Sequence, residues 1–116
     1  MKTVTCSEVE EITKQLLQRY SKNFKTITKI YLVGGLVSRG FTSNDIDLIF
    51  EVDSEHSLSS DEIWLELFEQ ADEFLMELQE ISGLYTGVIR LLKRGENDDD
   101  IRHPYIILWC REEERI

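Results

Sequence analysis

Two aspartates separated by one residue, Asp45 and Asp47, follow a Gly34-Gly35 pair, with nine residues between Gly35 and Asp45. Residues i and i+2 of a strand point to one face, their Cα atoms about 6.5 Å apart. Two carboxylates that close repel each other unless a positive charge sits between them. Mg²⁺ is bound by one or two carboxylates plus substrate phosphates. Two such ions about 3.5–4 Å apart stabilise the attacking and leaving oxygens of a phosphoryl or nucleotidyl transfer. A solvated strand face would also carry D-x-D. The glycines add a second signal. Without a Cβ, backbone can approach a ligand closely, and the N–H groups of such a turn can cradle phosphate. Ser38 and Arg39 place a hydroxyl and a forked cation beside it. A tight turn between two strands would need glycine as well. Two other phosphate motifs fail. Gly35 to Thr42 fits the P-loop pattern except that Phe41 stands where the phosphate-binding lysine belongs. Gly34, Gly35 and Gly40 have the wrong spacing for a dinucleotide fingerprint.

The elements that must position these residues are readable. Ser7-x-x-Glu10 predicts a capping box, and Val9, Ile12, Leu16, Leu17 and Tyr20 recur at helical spacing to an end near Lys22. "KIYLV", Lys29 to Val33, predicts a strand stopped by the glycines. "DIDLIFEV", Asp45 to Val52, alternates strictly and predicts a half-buried strand. Ile46, Leu48, Phe50 and Val52 point one way; Asp45, Asp47, Ile49 and Glu51 point the other. Ser59-x-x-Glu62 predicts a second capping box. A long apolar stripe follows from Ile63 through Trp64, Leu67, Phe68, Ala71, Phe74, Leu75 and Leu78 to Ile81, with Gly83 as the C-terminal cap. Leu84 to Leu92 and Tyr105 to Cys110 predict two more strands, separated by a polar loop. This order gives an α+β fold, a mixed sheet with helices packed mainly on one face, in a single domain over residues 1–116.

Composition sets limits. With a net charge of −10, the surface repels phosphate backbones, which argues against non-specific binding of duplex DNA. Cys6 and Cys110 lie far apart and form no metal-ligand cluster, so free thiols in a reducing, cytoplasmic compartment are expected. No apolar run reaches the ~18 residues of a membrane span, and the N-terminus has no apolar signal core.

The segment Tyr31 to Val52 resembles the nucleotidyltransferase superfamily typified by DNA polymerase beta. That family carries a strand, an h-G-[GS] turn, about nine to thirteen residues, and then D-x-[DE] heading the next strand. Here "YLVGG" and "DIDLIFEV" supply those parts, and Ser38-Arg39-Gly40 resembles the [AS]-R-G often found between them. The resemblance implies a polymerase beta palm-like fold, close in size to the small single-domain minimal nucleotidyltransferases. Some of these act beside a helical nucleotide-binding partner. It further implies that Gly34, Gly35, Ser38 and Arg39 hold a nucleoside triphosphate. Asp45 and Asp47 would bind Mg²⁺ or Mn²⁺ as the catalytic pair. The reaction would be transfer of a nucleoside monophosphate to an acceptor hydroxyl.

Active members also carry a third carboxylate on a strand after the long helix. The matching position here falls near Val88 or Arg90, neither of them acidic. Glu51 shares the aspartate face but lies about 13 Å along the strand from Asp47. Asp98, Asp99 and Asp100 fall in a loop, where a solvated turn is the expected reading. Two functions therefore stand: an enzyme, or a catalytically degenerate module, antitoxin-like for example, that binds a nucleotide or a protein partner without turnover. His56 and His103 sit in polar loops and are expected to be exposed; Trp64 and Trp109 are expected in the core or an interface. Arg90, Lys93 and Arg94 form a small basic patch whose simpler role is to border a strand. The apolar "YIILW" strand predicts an edge covered in a homodimer or by a helical partner.

Overall fold

A computed structural model of the chain describes residues 3–53, 57, 60–94 and 104–111. Strand β1 (Val4–Thr5) leads into helix α1 (Cys6–Tyr20), which ends in a 3₁₀ turn. Strand β2 (Ile27–Val33), a short helix α2 (Gly35–Arg39), strand β3 (Phe41–Thr42) and strand β4 (Asp45–Val52) follow. Helix α3 (Asp61–Ser82), strand β5 (Tyr85–Lys93) and strand β6 (Ile106–Cys110) complete the order. Four strands form one sheet in the order β5-β4-β2-β6. β2 pairs antiparallel with β4 and with β6, whereas β4 and β5 run parallel across the α3 connection. A mixed sheet is the expected result, since a parallel pair needs a crossover and a helix supplies it.

Both long helices pack on one face of the sheet. From β4, Ile46, Leu48, Phe50 and Val52 meet Ile30 and Leu32 of β2, Leu16 and Leu17 of α1, and Leu67, Ala71, Phe74 and Leu78 of α3. Phe24 sets its ring edge-on to both Phe74 and Trp109, at centroid distances of 6.1 and 5.3 Å. Trp109 is thus a core residue. Gln70 of α3 ties the entry to β2: its Oε1 accepts from the backbone N–H groups of Lys25 and Thr26 at 2.8 and 2.9 Å. Gly83 caps α3 at a φ of 76°, as its place in the sequence predicts.

The opposite face differs from the half-exposed surface that alternation predicts. Ile49 and Glu51 are only 3% and 7% exposed. Ile49 joins Tyr31, Val33, Leu92 and Tyr105 in a second apolar cluster. The Glu51 carboxylate is buried because Thr28 Oγ1 donates to it at 2.6 Å, which meets the need of a buried polar group for a partner. β4 is therefore buried on both faces toward its C-terminal end, and its aspartates stand at the more open, N-terminal end.

The helix starts also differ from expectation. α1 is capped by Thr5, not Ser7: Glu8 N–H donates to Thr5 Oγ1 at 3.1 Å, and Glu8 in turn reaches back to the Thr5 backbone. Thr5-x-x-Glu8 and Ser7-x-x-Glu10 both fit the motif. Pairing of Val4 with Thr42, and of Cys6 N–H with Gly40 O at 2.8 Å, pins the chain so that the helix begins at Cys6. In α3 the cap is Ser60, whose Oγ accepts from Ile63 N–H; Ser59 lies outside the described residues. Phe68 and Ile81 of the predicted apolar stripe are each 48% exposed. The stripe is wider than the face α3 buries. Replacing Thr5 with Ala should cost about 1 kcal/mol of unfolding free energy, and Ser7→Ala only a few tenths. Urea denaturation of the two variants decides between the caps.

Candidate functional site

The site begins where β2 ends. Gly34 takes φ 86°, ψ −162°, a conformation that side chains avoid, and its carbonyl accepts from Val37 and Ser38 N–H, both at 3.1 Å. The turn thus runs directly into α2 rather than straight to the next strand, a feature the sequence reading lacks. Buried Leu36 anchors α2 to the core, and Gly40 ends it at φ 87°, donating to Leu36 O at 2.9 Å. The first N–H groups of a helix have no intrahelical acceptor. Ser38 and Arg39 are exposed on this short helix. The Arg39 guanidinium folds back over Gly35, so close that a Cβ built at position 35 would lie 2.7 Å from Arg39 Cζ.

Asp47 stands beside this turn. It is paired with Val33 of β2 on one side and with Gly87 of β5 on the other. A Cβ at Gly34 would lie 2.7 Å from Asp47 Oδ2, so the carboxylate occupies the space where a side chain at position 34 would begin. Asp45, two residues earlier on the same face, is exposed and pairs with Tyr85. Partial burial, and then the negative charge of Asp45, raise the pKa of Asp47 above the ordinary carboxylate value. Gly34, Gly35, Arg39, Asp45 and Asp47 come together at one end of β2 and β4, with Ser38 one residue from Arg39 on α2. This donor set fits a hard divalent cation, which takes one or two carboxylates and completes its shell with water or phosphate oxygens.

The expected third acid would fall near Val88 or Arg90 of β5. Gly87, with no side chain, is the β5 residue paired with Asp47. Val88 pairs with Leu48 and packs toward the helices, and after a register shift Arg90 pairs with Ile49. Glu51 is engaged by Thr28. Among the described residues no group of three His, Cys, Asp or Glu side chains is placed to hold a metal ion. Asp98, Asp99, Asp100, His56 and His103 lie outside the described residues. In the basic patch, Arg94 is 3.5 Å from Asp53 and its N–H bonds Val52 O at 2.9 Å, so it borders the strand. Cys6 and Cys110 are free thiols, and burial followed by the charge of Glu10 raises the Cys6 pKa.

Residues that the sequence reading passed over lie on the β5 side. Tyr85 leans over Gly87: a Cβ at position 87 would lie 3.0 Å from its ring. A pocket of about 210 Å³ adjoins Asp47 here, with Trp64 and Phe68 of α3 in its wall.

No protein-family model matches the chain, and no curated protein sequence does. Its fold does match a solved structure, the "putative nucleotidyltransferase from Sulfolobus solfataricus", with a TM-score of 0.57 over 92% of this chain and 85% of that one. The chain has the nucleotidyltransferase fold. At 15% identity the likeness is one of backbone architecture, so it is the local geometry that must carry any statement about chemistry. No helix among the described residues is long and apolar enough to cross a membrane.

The raised Asp47 pKa fixes the sign of a pH effect. The folded state binds the Asp47 proton more tightly than the unfolded chain, so ionisation costs stability as pH rises through that window. Asp47→Asn should therefore match wild type at low pH and become the more stable protein above the Asp47 pKa. Asp45→Asn should bring the Asp47 pKa only part of the way down, because burial is the larger cause. Carboxylate titration by NMR and urea melts across pH measure both. Gly34→Ala should destabilise by roughly 1–3 kcal/mol from its positive φ alone, and displace the Asp47 carboxylate.

Proposed function

We propose that the chain binds a nucleoside triphosphate with Mg²⁺ or Mn²⁺ and transfers the nucleoside monophosphate to an acceptor hydroxyl. The observation that carries this reading is the Asp47 carboxylate seated against Gly34 at the head of α2. It joins a cation-binding pair to a phosphate-accepting turn. Asp45 and Asp47 hold the cation. The backbone of Gly34 and Gly35, the Ser38 hydroxyl and the Arg39 guanidinium hold the β- and γ-phosphates. A bound divalent cation supplies charge neutralisation at the phosphoryl oxygens. Gly34 and Gly35 let the triphosphate approach the backbone, and Arg39, exposed on a short helix, can swing off Gly35 to meet it. The acceptor oxygen forms a bond to the α-phosphorus as the bond to the β-phosphate oxygen breaks. Pyrophosphate leaves, and the hydroxyl proton passes to water.

A second reading rests on β5. Near Val88 and Arg90, where active nucleotidyltransferases are expected to place a third carboxylate, neither residue is acidic, and Gly87, paired with Asp47, has no side chain. This favours a module that binds a nucleotide, or a protein partner, without turnover. Thermal melting and pyrophosphate release separate the two. Wild type with Mg²⁺ and a triphosphate at a hundredfold excess over Kd should gain about 2.7 kcal/mol of stability. Asp47→Asn should lose that gain while its ligand-free stability at neutral pH is equal or higher. Retention of the full gain by Asp47→Asn would remove the metal role. Binding by wild type with no pyrophosphate released, whatever hydroxyl compound is supplied, would select the second reading.

A further inference from the structure

We infer that Arg39 is a latch. In the ligand-free protein its guanidinium closes the turn that would take phosphate, and Gly35 is the seat that lets it close. The inference rests on the triphosphate reading above and adds a means of regulating that site.

The first argument is the glycine itself. Gly34, Gly40 and Gly83 take positive φ, and Gly35 does not. Gly35 is the first residue of α2, where any residue fits the backbone and alanine is the better helix former. Backbone conformation therefore gives no reason for a glycine at this position. Its neighbour does. A Cβ at position 35 would lie 2.7 Å from both Cζ and Nη1 of Arg39, too close for the two to coexist.

The second argument is why the arginine goes there. Residues four apart on a helix share a face, and each Cα–Cβ bond tilts toward the N-terminus. From position 39 the side chain therefore runs back along α2 and ends over position 35. At position 34 the space of a side chain is taken by Asp47 Oδ2. Both glycines of the turn are thus covered, one by a carboxylate and the next by a guanidinium. A phosphate that comes onto Gly35 must first displace the arm.

The third argument is that the closed arm is loosely held. Among the described residues no ion pair ties Arg39 down. The N-terminal end of a helix carries positive partial charge, which disfavours a cation there. Packing over the glycine keeps the arm closed, and an arriving polyphosphate reverses the balance. The displaced guanidinium then has a better partner, since its fork matches phosphate oxygens. A protein whose competent form is only part of the population binds more weakly by that fraction. Closure by Arg39 therefore lowers the affinity of the resting site, and any change that unseats the arm raises it.

The test has two readouts. The first is the NMR signal of Arg39 Nε–H, assigned by its loss in Arg39→Ala. In the ligand-free protein Gly35→Ala should move that signal to the position of a solvent-exposed arginine, with a melting temperature at or above that of wild type. The second is the affinity for inorganic tripolyphosphate with Mg²⁺, measured in wild type, Gly35→Ala, Arg39→Ala and the double variant. The factor by which Gly35→Ala tightens binding should be about threefold or more greater with Arg39 present than in the Arg39→Ala background. Comparing the two backgrounds cancels any direct clash of the added methyl group with the probe. Equal factors would overturn the latch. A smaller factor with Arg39 present would make the folded-back arm the binding position, and would overturn it too. An Arg39 signal that Gly35→Ala leaves in place, in proteins that still bind tripolyphosphate, would overturn the latch and leave the triphosphate reading standing. Absence of tripolyphosphate and triphosphate binding from all four proteins would overturn both.

Discussion

Asp47 has a glycine on either side, and its carboxylate uses the room. Oδ2 sits where a side chain at position 34 would start, and the β5 residue beside it is Gly87. Position 34 is constrained twice, by that oxygen and by its own positive φ. The contact places a partly buried anion at the head of α2, next to a second anion, Asp45. Burial and like charge both hold the proton on Asp47 longer than usual. Such a carboxylate is stabilised by whatever positive charge arrives between the pair. The repulsion between the two carboxylates is thus a property of the ligand-free geometry.

The rest of β4 explains why that anion can be held in place. Its core-facing residues pack beneath both helices, and further along the open face Ile49 and Glu51 are buried as well. The strand runs from a polar, accessible end to an apolar, enclosed one. Burial on both sides fixes its register, because a slip of one residue would send the aspartates into the core and the aliphatic residues to the other face. The parallel pairing with β5 carries the same register to Tyr85 and Gly87. Gln79 of α3 then fastens the start of β5, its Oε1 accepting from Thr86 N–H at 3.3 Å.

The parts legible in the sequence were those set by period. Strict alternation put Asp45 and Asp47 on one face, and the apolar repeat with Gly83 gave α3 and its end. α2 was not legible because five residues carry too little periodicity, and its flanking glycines read equally well as a plain turn. The α1 cap was ambiguous, with two overlapping Ser/Thr-x-x-Glu matches; only the β1–β3 pairing chose between them. Burial of Ile49 and Glu51 depended on partners remote in sequence, Tyr31 and Leu92 for one and Thr28 for the other. The place of Gly87 beside Asp47 could not be read at all. It depends on a parallel register that exists only once α3 has delivered β5 to the edge of β4.

That edge position gives the site its two unlike halves. On the β2 side the chain supplies backbone N–H groups, a hydroxyl and a guanidinium, all suited to phosphate. On the β5 side it supplies aromatic and aliphatic side chains around a gap. An interior strand would have another strand beyond it to close that gap. Among the described residues β5 has none within the sheet, and α3 forms the outer wall with Trp64, Phe68 and Leu75. Phe68 is exposed for a strand-and-helix core but well placed for a pocket. The same explains Tyr85 and Ile89, large apolar residues left 67% and 59% exposed on an edge strand. An uncovered apolar edge is a hazard for association.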